Sequence, residues 1–167
     1  MPNAEINGQV VAFTDGMTIL SAARAAGISI PTLCFLETQA PVGACRVCLV
    51  EVEGARTLVA SCSTPINHGM KIHTNTKRVR EARRMVVELL LSEHAGNCQT
   101  CERSEDCELK GLAHQLGIRE IHFDGEKPIS KKDQSTPALV RDYSKCIKCR
   151  RCVTVCREVQ HVGALFP

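Results

Sequence analysis

Eleven cysteines, joined by one of the six histidines, fall into three groups of four along the 167-residue chain. The first is Cys34-x10-Cys45-x2-Cys48-x13-Cys62, the second His94-x3-Cys98-x2-Cys101-x5-Cys107, and the third Cys146-x2-Cys149-x2-Cys152-x3-Cys156. Thiolate and imidazole are ligands for zinc and for iron–sulfur clusters, and steps of two residues bring successive sulfurs onto one tight loop. The stretch HAGNCQTCERSEDC, from His94 to Cys107, has almost nothing apolar to bury. A metal centre, rather than packed side chains, has to serve as its core. Iron in these groups would move single electrons, whereas zinc would only hold the loops together.

The spacing weighs the two metals differently in each group. In the first, Gly43 and Ala44 precede the Cys45-x2-Cys48 pair. These small residues let backbone N–H groups approach a negatively charged sulfur. The group is a variant of the plant-type [2Fe–2S] pattern with a longer first loop, ten residues instead of four. The Cys45/Cys48 pair is expected to chelate one iron, and Cys34 and Cys62 the other. A Cys₄ zinc site usually shows two C-x₂-C knuckles, and this group has one. In the second group His94 stands four residues before a cysteine triple that otherwise lacks a fourth ligand. A neutral imidazole in place of a thiolate makes the centre less negative and favours its reduced state. On ligand count alone, a Cys₃His zinc site stays open. The third group matches the bacterial ferredoxin run for [4Fe–4S] clusters, a spacing that zinc does not require. Arg157 replaces the proline that usually follows its fourth cysteine.

Composition agrees with small metal-stabilised modules. Tryptophan is absent and aromatic residues make up 3 %, so a large aromatic core is not expected. No run approaches the ~20 apolar residues of a membrane span, and MPNAEINGQVV lacks the features of a signal peptide. The cysteines are therefore expected in a reducing cytoplasm, where metal binding outweighs disulfides, and their odd number also argues against a closed disulfide set. A net charge of +3 is too small to suggest nucleic acid. Three loaded centres would take it to roughly −2.

Hydrophobic periodicity supplies the elements that must position these ligands. Residues 3–13 alternate around Asn7-Gly8 and predict a hairpin. Thr18 caps a short helix, ILSAARAA, ended by Gly27, and a loop follows from Pro31 to Ala44. RVCLVEVEG and TLVASC predict a second strand pair turning near Gly54, and KIHTNT a last, edge strand. Together these suggest a β-grasp. KRVREARRMVVELLLSE (77–93) predicts a long helix with Val79, Ala82, Val86, Leu89 and Leu90 on one face. Its cations Lys77, Arg78, Arg80, Arg83 and Arg84 read as a solvated face, with docking to an acidic partner as the sharper reading. ELKGLAHQLG predicts another short helix. Residues 118–141, with Pro128 and Pro137, form a connector holding one short strand, REIHF.

In this order the three groups resemble the N-terminal electron-transfer region of [FeFe]-hydrogenase catalytic subunits. They are also similar to the large iron–sulfur subunit of NADH:quinone oxidoreductase. The closing CIKCRRCVTVCREVQHVGALFP resembles most the multisubunit, NAD(P)-linked hydrogenases, including electron-bifurcating ones. The resemblance implies an α+β chain in three parts. Residues 1–76 would form a β-grasp [2Fe–2S] ferredoxin-like domain, 77–117 a helical His-Cys₃ [4Fe–4S] module, and 118–167 a connector with the first half of a bacterial-ferredoxin-like [4Fe–4S] domain. Cys34, Cys45, Cys48 and Cys62 would hold the [2Fe–2S] cluster, and His94, Cys98, Cys101 and Cys107 a [4Fe–4S] cluster. Cys146, Cys149 and Cys152 would hold three irons of another, while Cys156 would serve a further cluster whose remaining ligands lie past residue 167. The chain stops after GALFP, where the family continues, which implies a segment of a longer subunit.

The implied function is an electron conduit between a flavin/NAD(P)-binding partner and a hydrogen-activating domain outside this chain. A small [2Fe–2S] subunit and ferredoxin are among the implied partners, and no complete catalytic site is present. The nearest rival is the same conduit in a quinone or formate enzyme. Rivals from other classes are a zinc-stabilised interaction module, which would be colourless rather than brown, and a redox-sensing thiol protein, which the dense ligand spacing disfavours.

Overall fold

Asn7 and Gly8 both have left-handed backbones, φ 53° and 86°, and fold strands β1 (Asn3–Ile6) and β2 (Gln9–Ala12) into the expected antiparallel hairpin. The computed structural model describes residues 1–94, 96–127 and 132–166, so Pro128 lies outside the described residues. The chain forms two units. One comprises residues 1–83 with the stretch from residue 150 onward, and the other residues 84–149.

In the first unit, helix α1 (Ile19–Ala25) starts at a capping box. Thr18 Oγ1 accepts from the Ser21 N–H, and Ser21 Oγ accepts from the Thr18 N–H. Strands β3 (Leu49–Val52) and β4 (Val59–Ala60) pair antiparallel as expected. Strand β5 (Lys71–His73) does not take the predicted edge position. The sheet order is β2-β1-β5-β3-β4, so β5 is central. It runs parallel to β1 through Glu5↔Lys71 and Ile6↔Ile72 and antiparallel to β3 through Glu51↔His73 and Val52↔Ile72. Central placement satisfies its backbone on both sides and buries Ile72 completely. Asn7 secures it: Asn7 Nδ2 donates to Thr74 Oγ1 and the Thr74 N–H donates to Asn7 Oδ1, each at 2.8 Å. Ala4, Ile6, Val11, Ile19, Leu20, Val50 and Ile72 form the core, and Cys48 and Cys62 belong to it.

Helix α2 (Lys77–Ser92) begins at Thr76, whose Oγ1 accepts from the Val79 N–H and donates to Glu51. Its buried line is not the predicted one. Val79, Arg83, Val87 and Glu88 are buried, whereas Leu89 is 46 % exposed. The 79–83–87 line follows the i, i+4 spacing of a helix, and polar Arg83 and Glu88 sit on that side because hydrogen bonds hold them. Of the other predicted face cations, Arg78 reaches Glu51 and the Arg56 carbonyl, Arg80 the Asn75 carbonyl, and Arg84 Glu88.

The second unit holds a 3₁₀ turn at Cys98–Thr100, helix α3 (Glu108–Gln115) and a hairpin of β6 (Lys132–Thr136) and β7 (Leu139–Asp142) turning at Pro137-Ala138. The predicted REIHF strand is absent, and the hairpin lies later in the connector. REIHF is held through a side chain instead, with His122 Nδ1 at 3.2 Å from Glu88 Oε2. Arg84 and His122 hold the Glu88 carboxyl below the usual carboxylate range. Gly125 then passes so near Ser92 that a Cβ would lie 2.5 Å from its Oγ and 2.7 Å from its carbonyl carbon. Helix α4 (Arg151–Thr154) continues into a π-helical turn, Val155–Val159, in the first unit. Among the described residues no helix is long and apolar enough to cross a membrane.

Candidate iron–sulfur sites

The first group converges in the core of the first unit. Cys34, Cys45, Cys48 and Cys62 are all buried. Left-handed Gly43 (φ 67°) and Arg46 (φ 55°) curl the loop so that successive N–H groups turn inward. The amides of Ala44 and Cys45 donate to Cys34, those of Val47 and Leu33 to Cys45, and that of Cys62 to Cys48. The thiols meet across loops rather than along the x2 step. Cys34 is hydrogen bonded to Cys45, and Cys48 to Cys62. With the chain reversing at Arg46, the two sulfurs of the x2 step face different neighbours, each delivered by another loop.

Those contacts set the charge of the group. The Cys45 thiol and the amides around it bring Cys34 down to about 5, against burial. The Cys62 thiol, its amide and Ser61 bring Cys48 down to about 6. Cys45 and Cys62, as donors in these pairs and desolvated, are pushed up. A pocket that already stabilises negative sulfur with oriented amides fits a dianionic tetrathiolate cluster. Ser61 Oγ donates to the Cys48 carbonyl at 2.8 Å and fixes the Cys48 and Cys62 loops together. On the same side stands Arg83, 6 % exposed, with Nη2 donating to the Leu49 carbonyl at 2.7 Å. Burial pushes its guanidinium pKa down, and the charge of Cys48 opposes that shift. Sequence reasoning placed Arg83 with the solvated cations. The signal that could have found it is its i, i+4 spacing from Val79 and Val87.

The second group runs from the end of α2 to the start of α3. His94 follows the helix, with its N–H on the Leu91 carbonyl, and Gly96 turns the chain at φ 68°. His94 Nδ1 accepts the Gly96 N–H at 3.2 Å. Cys98, Cys101 and Cys107 are half-buried. Cys107 caps α3, its Sγ accepting the Lys110 N–H at 3.5 Å. Lys110 Nζ reaches back to the Ser104 carbonyl and hydroxyl, which ties the loop to the helix. The positive end of α3 thus faces a sulfur, a placement that favours an anionic centre.

The third group is divided by the unit boundary, which falls between Cys149 and Cys152. Left-handed Lys148 (φ 53°) and Arg150 (φ 62°) curl its two x2 steps, and the Lys148 N–H donates to Cys146 Sγ at 3.4 Å. Cys146 and Cys152 are exposed, Cys149 is half-buried and Cys156 is buried. Among the described residues no three His, Cys, Asp or Glu side chains close on the position of a single ion.

Comparison with known proteins gives three matches in series. Residues 3–77 match a 2Fe-2S iron–sulfur cluster binding domain, residues 83–122 an NADH-ubiquinone oxidoreductase-G iron–sulfur binding region, and residues 139–158 a 4Fe-4S binding domain. The chain is 46 % identical to the NADP-reducing hydrogenase subunit HndD of Solidesulfovibrio fructosivorans, covering 96 % of this chain and 28 % of that protein. It is 36 % identical to an NADH-quinone oxidoreductase subunit from Rhizobium meliloti, covering 99 % of this chain and 19 % of that one. Among solved structures, a chain of an NAD+-reducing [NiFe]-hydrogenase in the H2-reduced state superposes with a TM-score of 0.92 at 34 % identity. That match covers 99 % of this chain and 69 % of the other. The chain thus spans 28 % of the length of one of these two curated relatives and 19 % of the other.

Proposed function

The chain belongs to the family of iron–sulfur regions found in NAD(P)-linked hydrogenases and in NADH:quinone oxidoreductase, and from that membership we propose that it conducts single electrons within an NAD(P)-linked hydrogenase. The observation that carries the reading is the series of three cluster-binding regions on one continuous chain. The partners proposed are a flavin/NAD(P)-binding subunit, a small [2Fe–2S] subunit and a hydrogen-activating domain outside these residues, in the cytoplasm. The same conduit in a quinone oxidoreductase is the second reading, favoured by the similarity to the Rhizobium meliloti protein. The subunits that co-purify with the parent protein separate the two.

A bound cluster supplies a centre that takes up and gives back one electron at a time. Cys34, Cys45, Cys48 and Cys62 would hold a [2Fe–2S] cluster, the first two on one iron and the last two on the other. Burial of these residues excludes water, and the amide donors offset the added charge without reorganising. His94, Cys98, Cys101 and Cys107 would hold a [4Fe–4S] cluster. To ligate through Nε2, His94 must carry its proton on Nδ1, where it meets the Gly96 N–H. To ligate through Nδ1, it must give up the lone pair that Gly96 uses. By either route the Gly96 amide is released as the site loads. Cys146, Cys149 and Cys152 would hold part of a further [4Fe–4S] cluster, with the fourth ligand outside this chain and Cys156 serving another. The parts proposed are residues 1–76, 77–117 and 118–167.

Anaerobic purification with iron, labile-sulfide and zinc assays tests the reading. A brown protein with matching iron and sulfide is expected. A colourless one with stoichiometric zinc and negligible sulfide sinks it in favour of a structural zinc module.

A further inference from the structure

Arg83 is a cation in the wrong place for its surroundings. It lies in the basic half of α2, yet it is 6 % exposed where Arg78, Arg80 and Arg84 are not buried. Each of those three finds a carboxylate or a carbonyl. Among the described residues Arg83 makes one hydrogen bond, from Nη2 to the Leu49 carbonyl, and no carboxylate pairs with it. Its Nε is buried with no partner among the described residues. An unpaired buried charge costs several kcal/mol unless something of opposite sign compensates it. The residue Arg83 grips directly follows Cys48, the guanidinium stands within Coulombic reach of Cys48, and Cys48 and Cys62 form one thiol pair of the first site. The uncompensated cation therefore stands beside one thiol pair of the first site.

We propose that Arg83 is the countercharge of the [2Fe–2S] centre, a positioning residue whose buried guanidinium stabilises the reduced state and sets the potential from the Cys48/Cys62 side. The proposal rests on the reading of Cys34, Cys45, Cys48 and Cys62 as ligands. One electron added to the centre adds one negative charge. A fixed positive charge in a dry, low-dielectric position favours that state, and Arg holds its charge at every working pH. The amides around Cys34 and Cys45 serve one end of the site, and Arg83 serves the end that has fewer donors.

The test compares Arg83→Lys, Arg83→Gln and Arg83→Met in the whole 167-residue chain, reading iron and sulfide content, the visible circular dichroism of the [2Fe–2S] centre and an EPR-monitored redox titration. Arg83→Gln and Arg83→Met remove the charge, and Met keeps apolar packing should Gln fold poorly. Both are expected to retain the centre with its reduced-to-oxidised ratio at fixed potential lowered at least tenfold, equivalent to ~59 mV for one electron. Arg83→Lys is expected to lie near wild type. Loading by Arg83→Lys alone, with neither neutral variant assembling the centre, also supports the charge role. A loaded neutral variant with the wild-type potential overturns the proposal, as does an equal drop in the Lys variant. Absence of iron and sulfide from the wild-type chain overturns the ligand reading itself, a result separate from any of these.

Discussion

At the scale of single residues, the chemistry lies in which atom faces which. Cys34 and Cys45 share one hydrogen bond and Cys48 and Cys62 another, so the four thiols of the first site stand as two pairs made across loops. His94 is the residue whose replacement reports most directly on the second site. Changing it to Cys exchanges a neutral ligand for an anionic one, which should preserve the centre and lower its potential. His94→Ala leaves three thiolates and should lose about four irons per chain. Iron analysis with EPR-monitored titration of the three proteins checks both, and an unchanged centre in both variants would remove His94 from the ligand set.

At the scale of elements, close approach decides what can change. The connector after α3 returns past the end of α2, where Gly125 leaves no room for a side chain above Ser92. Two of the three nearest atoms there are backbone, the Ser92 carbonyl carbon at 2.7 Å and its oxygen at 2.9 Å. Gly125→Ala should therefore cost about 1–3 kcal/mol, the usual range for overpacking. Ser92→Ala should not relieve it, because only the hydroxyl contact disappears. Denaturant unfolding of the single and double variants, followed by far-UV circular dichroism, measures both statements. A Gly125→Ala chain as stable as wild type would mean that the connector can lift away at little cost. On the same return path His122 of REIHF binds Glu88 through its side chain.

At the scale of the whole molecule, the three groups differ in how completely they are enclosed. The first is buried, the second half-buried, and the third has Cys146 and Cys152 exposed with Cys156 buried. Expressed alone, these 167 residues should hold the first two centres firmly and the third poorly, giving about six irons per chain rather than ten. Cys156→Ser should leave that count unchanged if Cys156 serves a different cluster. A stable third centre that vanishes specifically in Cys156→Ser would instead make Cys156 its local fourth ligand. The formal charge of +3 on the metal-free chain moves toward the negative as centres load. Arg83 is the buried cation placed to balance part of that change.

Ligand spacing, turn chemistry and helix caps are local properties, so the sequence by itself determined them. The cluster classes and their order follow from steps such as Cys146-x2-Cys149-x2-Cys152, which a cubane requires and few other structures do. The hairpin at Asn7-Gly8, the Thr18 cap and the 77–92 helix were legible for the same reason. Insertion of β5 between β1 and β3 was not, because a strand's neighbours depend on which distant segments supply its hydrogen-bond partners. The thiol pairing was hidden in the same way, since it depends on where separate loops meet around Arg46. Burial of Arg83 was the least visible of all. Periodicity shows which residues share a helix face, but only the tertiary structure decides which face loses its water. Here that face carries a charge, held at the carbonyl of the residue after Cys48.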